Sequence, residues 1–465
     1  MKRNLEFNTA ELQASDNYFL HPWEDLQKLG KNKRTIVGRG EGVYVYDTDE
    51  NKLIDGPGGM WCVNVGHGRE EIVEAAAEQM RKMTYNSPWS LSNAPAAELA
   101  DKLRELTPGD LNHVFFSTCG STAVDSALRF CLFYNHYKGQ PEKRHIISRE
   151  NAYHGSTYLS GSCSGKERDK TFMTFDTEYV HHLSAPNPFR RPQGISLDEF
   201  RDARVKELED KILEIGPDKV ACFIAEPILA SGGVMIPPKG YHKACLEVCR
   251  KHNVLYISDE VVTAFGRLGH FFASEDVFDI VPDIITSAKG LTSGYVPMGA
   301  TFVADHLLEE IGGPDAEGSV FSNGFTYSGH PVAAAAALKN IEIMESENMM
   351  EHVRDVGPYF QNRLQELREL PIVGDVRGLG LMACVECVID QDSMDPLKLD
   401  YEIGNRIDEH CQALGLIVRP AINMCVMSPP LPITRPQIDE MVGILRKGIE
   451  LASEDLKREG LWQGG

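Results

Sequence analysis

The chain has 465 residues, enough for two or three domains of ordinary size. Its 42% apolar and 25% charged residues are typical of a globular protein and exclude a collagen-like or wholly disordered chain. Lys and Arg number 47 against 68 Asp and Glu, so the net charge is −21. Because nucleic acid and membrane surfaces are themselves anionic, this charge excludes them as expected partners.

Membrane and secretion signals are missing from the sequence. The longest apolar run, residues 332–338, is far shorter than the roughly 18 to 20 residues of a membrane span. Residues 1–16 lack the apolar stretch of a secretory signal, and the eleven cysteines show no disulfide-scaffold spacing. Cys384 and Cys387 form a CxxC on a predicted strand, where they face opposite sides, so we expect no metal there. We therefore predict a reduced, cytoplasmic protein.

The predicted elements change character along the chain. Residues 42–46 and 52–55 alternate like an antiparallel hairpin. The middle of the chain alternates short apolar runs with helical patterns, which predicts a mainly parallel sheet with crossover helices. Its predicted strands are 114–117, 145–148, 220–224, 254–258 and 283–286, and its helices include 122–137 and 241–252. A long amphipathic helix over 344–370 and strands at 373–376, 382–388 and 416–419 follow.

These patterns predict an α/β protein of two unequal domains. We expect a large domain with a mostly parallel sheet over residues 61–330 and a smaller α+β domain over 331–465. The N-terminal segment, residues 1–60, is expected to pack with the small domain.

Ligands of open parallel sheets bind beyond the carboxyl ends of the strands, so we searched those ends for chemistry. The end at residues 115–121 runs into a helix through Gly120 and Ser121. Free backbone N–H groups and the positive helix end suit a phosphate there. A plain N-cap by Ser121 is the alternative.

Two further strand ends carry charged side chains. Asp259 ends a buried strand, where a carboxylate needs a cation or donors, and a pyridinium nitrogen would serve. The alternative is that Asp259 or Glu260 caps the next turn. Lys289 follows another buried strand; most lysines are solvated, but one stripped of water has a lowered pKa and can form a Schiff base.

A tyrosine completes the set. Tyr153, in a Tyr-His-Gly turn, offers a flat ring that could stack on a pyridine, although an ordinary buried tyrosine is the alternative. A phosphate cradle, a partner for a ring nitrogen and a Schiff-base lysine are the equipment for pyridoxal 5'-phosphate.

Ordered motifs over nearly the whole chain resemble the class III aminotransferases, pyridoxal-phosphate enzymes of fold type I. The stretch 259–269 is similar to the family's D-E-V-x-x-x-F-G-R-x-G, and Ala-Lys-Gly follows at 288–290. The segments 226–228, 232–233 and 325–331 match as well. The segments 40–44, 61–66 and 428–431 resemble the ω-aminotransferase branch, which passes amine nitrogen to pyruvate.

The resemblance implies the roles of individual residues. Lys289 is the catalytic residue, Asp259 pairs with the ring nitrogen, and Thr326 reaches the phosphate of the neighbouring subunit. That last contact implies a homodimer, or a dimer of such dimers. The implied cofactor-binding residues are Gly120, Ser121, Tyr153, Glu226, Asp259, Val261, Lys289 and Thr326.

The resemblance also implies a substrate pocket. Its residues are Trp61 and Arg419, with Trp23 and Trp89, and Glu226 is expected to help place Arg419. One departure is Thr122, which stands where the family commonly has Glu and is expected to donate near the phosphate.

These residues predict transamination by a ping-pong mechanism from an ω-amine or other amine to a keto acid, most simply pyruvate. The planar fork of Arg419 would bind the acceptor's carboxylate and swing away for the donor. Taurine, β-alanine, putrescine and arylalkylamines stay open as donors. An aminomutase, racemase or decarboxylase of the same fold is the alternative. A pyridoxal-phosphate-sensing regulator would need a basic DNA-binding module, which the sequence lacks.

Overall fold

The computed structural model of the chain describes residues 7–31, 34–312, 316, 318–391 and 402–463. The strands are β1 Val37–Glu41, β2 Tyr44–Asp47, β3 Lys52–Asp55, β4 His113–Ser117, β5 His145–Arg149, β6 Val180–Leu183, β7 Val220–Ala225, β8 Leu255–Asp259, β9 Ile284–Ser287, β10 Gly299–Val303, β11 Val373–Leu379, β12 Met382–Cys387, β13 Leu416–Ile417, β14 Arg419–Ala421 and β15 Met424–Met427. The helices are α1 Thr9–Asp16, α2 Gly58–Trp61, α3 Glu70–Lys82, α4 Ala94–Leu106, α5 Gly120–Tyr137, α6 Tyr158–Cys163, α7 Leu197–Ile215, α8 Tyr241–Lys251, α9 Asp305–Ile311, α10 Pro331–Ser346, α11 Met349–Gln365, α12 Glu402–Leu414 and α13 Arg435–Arg458.

A seven-stranded sheet forms the centre of the molecule, in the order β4-β10-β9-β8-β7-β5-β6. β10 runs antiparallel to both of its neighbours, and every other neighbouring pair is parallel. β7, β8 and β9 are buried at every position, as expected where helices cover both faces of a sheet. The predicted large, mostly parallel sheet is therefore confirmed, and its predicted strands are correct to within one residue.

The predicted helix over 344–370 is wrong in its bounds. α10 ends at Ser346 and α11 begins at Met349. Asn348, between them, takes the left-handed conformation at φ 51°, which a continuous helix cannot contain. α11 then ends at Gln365, and a 3₁₀ turn over Glu366–Glu369 follows it.

Two small sheets flank the large one. The predicted strand over 416–419 is two strands, because the chain changes sheets at Val418. β13 pairs in parallel with β3 and completes the order β1-β2-β3-β13, whereas β14 ends the sheet β11-β12-β15-β14. The N-terminal hairpin thus shares a sheet with residues from the last third of the chain. The division at residues 60 and 330 stays a prediction.

The CxxC lies on a buried strand. Cys384 and Cys387 are both within β12, and burial raises the pKa of each thiol to about 12. No group of three potential metal ligands occurs among the residues that the structure describes. Within the same residues, no helix is both long and apolar enough to cross a membrane. Residues 1–6, part of the segment for which we expected no secretory signal, lie outside the described residues.

Candidate active site

A cavity of about 1180 Å³ opens at the carboxyl ends of the central strands. It brings together residues from distant parts of the sequence. Ten of the twelve predicted site residues line it: Trp23, Trp61, Gly120, Ser121, Tyr153, Glu226, Asp259, Val261, Lys289 and Arg419. The size is ample for a cofactor and a small substrate together.

Lys289 stands in a strained turn directly beyond β9. It begins a 3₁₀ turn, Lys289–Leu291, with a left-handed backbone at φ 39°. Such strain is typical of residues that a functional site holds in place. Gly290 follows because a Cβ there would lie 2.9 Å from Cβ of Phe265. Burial lowers the pKa of the Lys289 amine, although the negative charge of Asp259 acts in the opposite direction. The lowered pKa favours the neutral, nucleophilic form of the amine.

Asp259 ends β8 and is almost completely buried. Its Oδ2 lies 2.6 Å from Nδ1 of His154, a contact that the sequence did not predict. Its Oδ1 accepts hydrogen bonds from the backbone N–H of Val261 at 3.2 Å and from Oγ1 of Thr286 at 3.1 Å. Asp259 therefore caps the following turn and also faces the cavity.

Glu260, the next residue, is a purely internal group. Its carboxylate accepts hydrogen bonds from the backbone N–H groups of Ala273 and Ser274, at 2.7 and 2.9 Å, and from the hydroxyl of Thr263. It is fully buried, and burial raises its pKa. The capping interpretation that the sequence left open thus describes Asp259 in part, whereas Glu260 binds the hydroxyl of Thr263 and the distant amides of residues 273 and 274.

The amino end of α5 faces the cavity with Gly120 and Ser121. A Cβ at Gly120 would lie 2.9 Å from Cγ1 of Val261, so only glycine permits this close approach. The N-cap is Cys119, so the alternative role of Ser121 as N-cap is wrong; Oγ of Ser121 accepts from the backbone N–H of Ser156 at 3.1 Å.

Thr122 does not donate into the cavity, contrary to expectation. Its Oγ1 accepts hydrogen bonds from the backbone N–H groups of Thr118 and Cys119, at 3.1 and 3.0 Å. It donates its only hydrogen to the carbonyl of Cys119 at 2.9 Å. The hydroxyl therefore stabilises the turn that presents the helix end.

Tyr153 and Glu226 are joined through the backbone. Oε1 of Glu226 accepts from the N–H of Tyr153 at 2.9 Å, and Oε2 accepts from the N–H of Ala230 at 3.0 Å. Burial raises the pKa of this carboxyl. Both oxygens hold backbone amides, and Glu226 forms no hydrogen bond or ion pair with Arg419 in the described part of the chain, so the structure does not bear out the expectation that it places Arg419. The Tyr153 ring lies 6.2 Å from the ring of Trp23.

Arg419 and Trp61 form one wall. The Arg419 guanidinium lies 5.4 Å from the Trp61 ring, and burial lowers its pKa. Trp89 and Thr326 do not line the cavity of the single chain. The Trp89 side chain is 94% exposed, and Thr326 is exposed with its carbonyl accepting from the hydroxyl of Tyr85. The roles predicted for these two residues stay predictions.

The sequence did not point to Lys166. Its Nζ donates to Oγ of Ser231 and stands 5.7 Å from the Tyr153 ring, and both residues line the cavity. Burial lowers the pKa of Lys166 to about 8. Three residues beyond α6, it belongs to no motif, so only the fold could reveal it.

The groups in the cavity fit pyridoxal phosphate. The glycine-lined helix end suits a phosphate, the buried carboxylate of Asp259 suits a protonated ring nitrogen, and the desolvated amine of Lys289 suits a Schiff base. His154 carries a buried Nε2 without a hydrogen-bond partner in the described chain, directly behind Asp259.

Comparison with known proteins gives one result throughout. The family model "Aminotransferase class-III" matches residues 27–449. A putrescine–pyruvate aminotransferase of Pseudomonas aeruginosa is 41% identical over 445 residues, 95% of this chain and 96% of that protein. The mitochondrial gamma-aminobutyrate transaminase 1 of Oryza sativa subsp. japonica is 37% identical over 90% of this chain and 82% of its own length.

A solved structure agrees with these relatives. The thermostable (S)-enantioselective omega-transaminase from Thermomicrobium roseum superposes with a TM-score of 0.91 at 40% identity, covering 97% of this chain and 99% of that one. The chain therefore belongs to the class III aminotransferases and is an enzyme that uses pyridoxal phosphate to transfer amino groups.

Proposed function

We propose that this enzyme moves the amino group of a primary ω-amine to pyruvate. The observation that carries the proposal is a single cavity that holds both a desolvated lysine, Lys289, and a carboxylate-binding cation, Arg419. The P. aeruginosa relative, named for putrescine and pyruvate, supports the same pair of substrate classes.

Lys289 is the residue that we assign to the chemistry. Its Nζ would bind the cofactor covalently and, when free, would be placed to move a proton at the substrate carbon. The bound cofactor supplies a ring that accepts electrons. The lowered pKa of Lys289 keeps a share of the amine neutral, as both tasks require.

The other cavity residues hold and orient the cofactor. Asp259, backed by His154, holds a proton on the ring nitrogen. Gly120 and Ser121 bind the phosphate at the amino end of α5. Tyr153 and Val261, which both line the cavity, would enclose the cofactor ring. Glu226 fixes the backbone of the Tyr153 turn and would lie near the ring hydroxyl.

Arg419 is the residue that we assign to binding of the acceptor substrate. Its guanidinium can bind the carboxylate of pyruvate through two hydrogen bonds, while Trp61 supports it from behind. A ping-pong reaction uses one site for donor and acceptor in turn. We therefore assign Trp61, Trp23 and Trp89 to the substrate pocket, with Arg419 moving away when the donor binds.

We further propose a homodimer in the cytoplasm. Thr326 is exposed and lies outside the cavity of its own chain, which supports a role toward the neighbouring subunit's phosphate. All eleven cysteines are free, which supports a reducing compartment. The three-part division at residues 60 and 330 is supported by the separate sheets.

A panel of amines with pyruvate tests the function. We expect alanine to form with at least one ω-amine in the wild type and with none in Lys289→Ala. An absence of alanine for every amine would contradict the proposal. Racemised, rearranged or decarboxylated amine in place of alanine would favour the alternatives on the same fold.

A further inference from the structure

Of the five carboxylates that line the cavity in the described chain, Glu24 pairs with Arg34 and Asp25 is exposed to solvent, and the other three are engaged within the chain. Asp259 contacts His154, and Glu226 holds two backbone amides. Asp169 accepts from Nε of Arg168 at 2.9 Å. These groups therefore leave little negative charge to satisfy other cations in the wall.

Apart from Lys289, which we assign to the cofactor, and Lys28, which is exposed to solvent, two half-buried cations of the described cavity wall have no carboxylate partner: Lys166 and Arg419. In the described part of the chain, the ammonium of Lys166 meets a neutral hydroxyl, that of Ser231, and the face of Tyr153. Burial and then the charge of Arg168 lower its pKa to about 8, against the opposing charges of Asp169 and Glu226, neither of which forms an ion pair with it in the described chain. An ammonium that is partly stripped of water and lacks an anion offers a binding site for one.

Arg419 is the second such cation. Its guanidinium contacts the Trp61 ring, and no carboxylate pairs with it in the described ranges. Under the proposed function, Arg419 binds the carboxylate of pyruvate and moves away when the amine donor binds. Lys166 then remains in the wall as a cation available to the donor.

We propose that Lys166 and Ser231 bind a negatively charged tail on the amine donor, so that ω-amino acids are preferred over diamines. This inference rests on the proposed amine:pyruvate transamination. A cationic tail would face the like charge of Lys166 in a poorly hydrated part of the wall. The relatives include proteins named for each class, putrescine and gamma-aminobutyrate, so their names do not decide between them.

Three donors of matched length test the proposal with pyruvate as acceptor: 4-aminobutyrate, butylamine and putrescine, with anionic, neutral and cationic tails. In a ping-pong reaction, kcat/KM for a donor reports the donor half-reaction alone. In wild type we expect 4-aminobutyrate to have the highest value. Lys166→Met should lower that value about tenfold to a hundredfold. Butylamine should stay within about twofold, and putrescine should rise.

Two further variants act as controls. Lys170→Met removes a neighbouring lysine whose Nζ donates to the carbonyl of Ser162 and which does not line the cavity. It should leave the ranking of the donors unchanged. Lys166→Arg keeps the charge and should retain most of the preference. Comparing kcat/KM for taurine and for β-alanine in the same assay shows whether a sulfonate or a carboxylate tail is preferred.

Two results of the donor assay would overturn the proposal. The first is a higher kcat/KM for putrescine than for 4-aminobutyrate in the wild type. The second is an equal loss of kcat/KM for all three donors in Lys166→Met, which would show that Lys166 has a structural role. If no amine yields alanine, the proposed function fails separately. The anion site can then be tested by calorimetry with glutarate. If Lys166 binds anions, Lys166→Met should weaken the binding of glutarate about tenfold. An unchanged affinity would contradict the anion site.

Discussion

Asp283 and Asp259 are buried carboxylates at the two ends of the β8–β9 strand pair, and their surroundings differ. At the amino end, Asp283 accepts from the backbone N–H of Tyr256 at 2.7 Å and pairs with Nη1 of Arg250 and, at 3.2 Å, Nε2 of His306. At the carboxyl end, Asp259 contacts His154 and faces the cavity. Asp283 is fully enclosed by its own chain, whereas Asp259 has one open side.

This difference shows what makes a buried charge structural or functional. Asp283 has two cationic partners and a backbone donor, so its charge is satisfied and contributes to the folded state. Asp259 is positioned as firmly, by Val261 and Thr286, but toward a space large enough for a ligand. In open parallel sheets, that space lies at the carboxyl ends of the strands.

The largest effect is expected at the functional end, from Lys289→Ala. Turnover should fall below a few per cent of wild type, because the variant has no amine to bind the cofactor or to move the proton. The rate of alanine formation measures it, and circular dichroism checks the fold. Lys170→Ala, outside the cavity, serves as the matched control and should keep the wild-type rate. Substantial turnover in Lys289→Ala would refute the assignment.

Asp259→Asn against Asp283→Asn tests the comparison itself. Asp259→Asn should slow the donor half-reaction on the order of a hundredfold, because it removes the charge that keeps the ring nitrogen protonated. Its melting temperature should change little. Asp283→Asn should do the reverse, lowering the free energy of unfolding by about 3 kcal/mol at nearly normal rate. Rapid-mixing kinetics measure the half-reaction rate of each variant, and urea denaturation measures its free energy of unfolding. If both variants lost rate and stability to the same extent, the proposed difference between the two ends would be contradicted.

Arg419→Ala should separate the two substrates. Loss of a charge-assisted bidentate contact should lower kcat/KM for pyruvate about tenfold to a hundredfold. The half-reaction with an amine of uncharged tail should change less than about twofold, because that donor does not pair with the guanidinium. Measuring each half-reaction alone decides it. Equal losses of kcat/KM in both half-reactions would show that Arg419 has a structural role. A loss confined to the donor half-reaction would show that Arg419 binds the donor and not pyruvate.

The smallest effect belongs to the structural end and depends on pH. The hydrogen bond with Asp283 raises the pKa of His306 from its ordinary value near 6.5 to about 9. The protonated ring therefore stabilises the fold fully below pH 6.5, and this stability is lost as the pH rises through 9. Because the ring is partly exposed, we expect a loss of about 1 kcal/mol. The urea midpoint of the wild type should approach that of His306→Asn as the pH rises from 6 to 10. A constant difference between the two proteins over this range would contradict the ion pair of His306 with Asp283.

Sequence alone predicted the parts of this site that depend on short stretches of chain. Gly120, Asp259 and Lys289 each follow a strand and belong to a local motif, so position along the strand was enough to place them. It also predicted the central sheet, because fully buried strands appear as apolar runs. The break at Asn348 was missed because the helical pattern continues across it.

The rest of the site depends on contacts between distant segments. His154 meets Asp259 across 105 positions, and Lys166 meets Ser231 across 65, with no local pattern that marks either pair. Glu226 was expected near Arg419 but is occupied by backbone amides that only the fold brings to it. Thr326 and Trp89 lie outside the cavity of the single chain, so the roles that the resemblance implied for them stay predictions.

The most direct measurement follows the absorbance of the purified enzyme loaded with pyridoxal phosphate through one divided cycle. We predict that an amine donor alone bleaches the yellow band and that pyruvate, added after the donor is removed, restores it with about one alanine formed per site. A band that the donor does not change, or that pyruvate does not restore, would contradict amino transfer to pyruvate through Lys289.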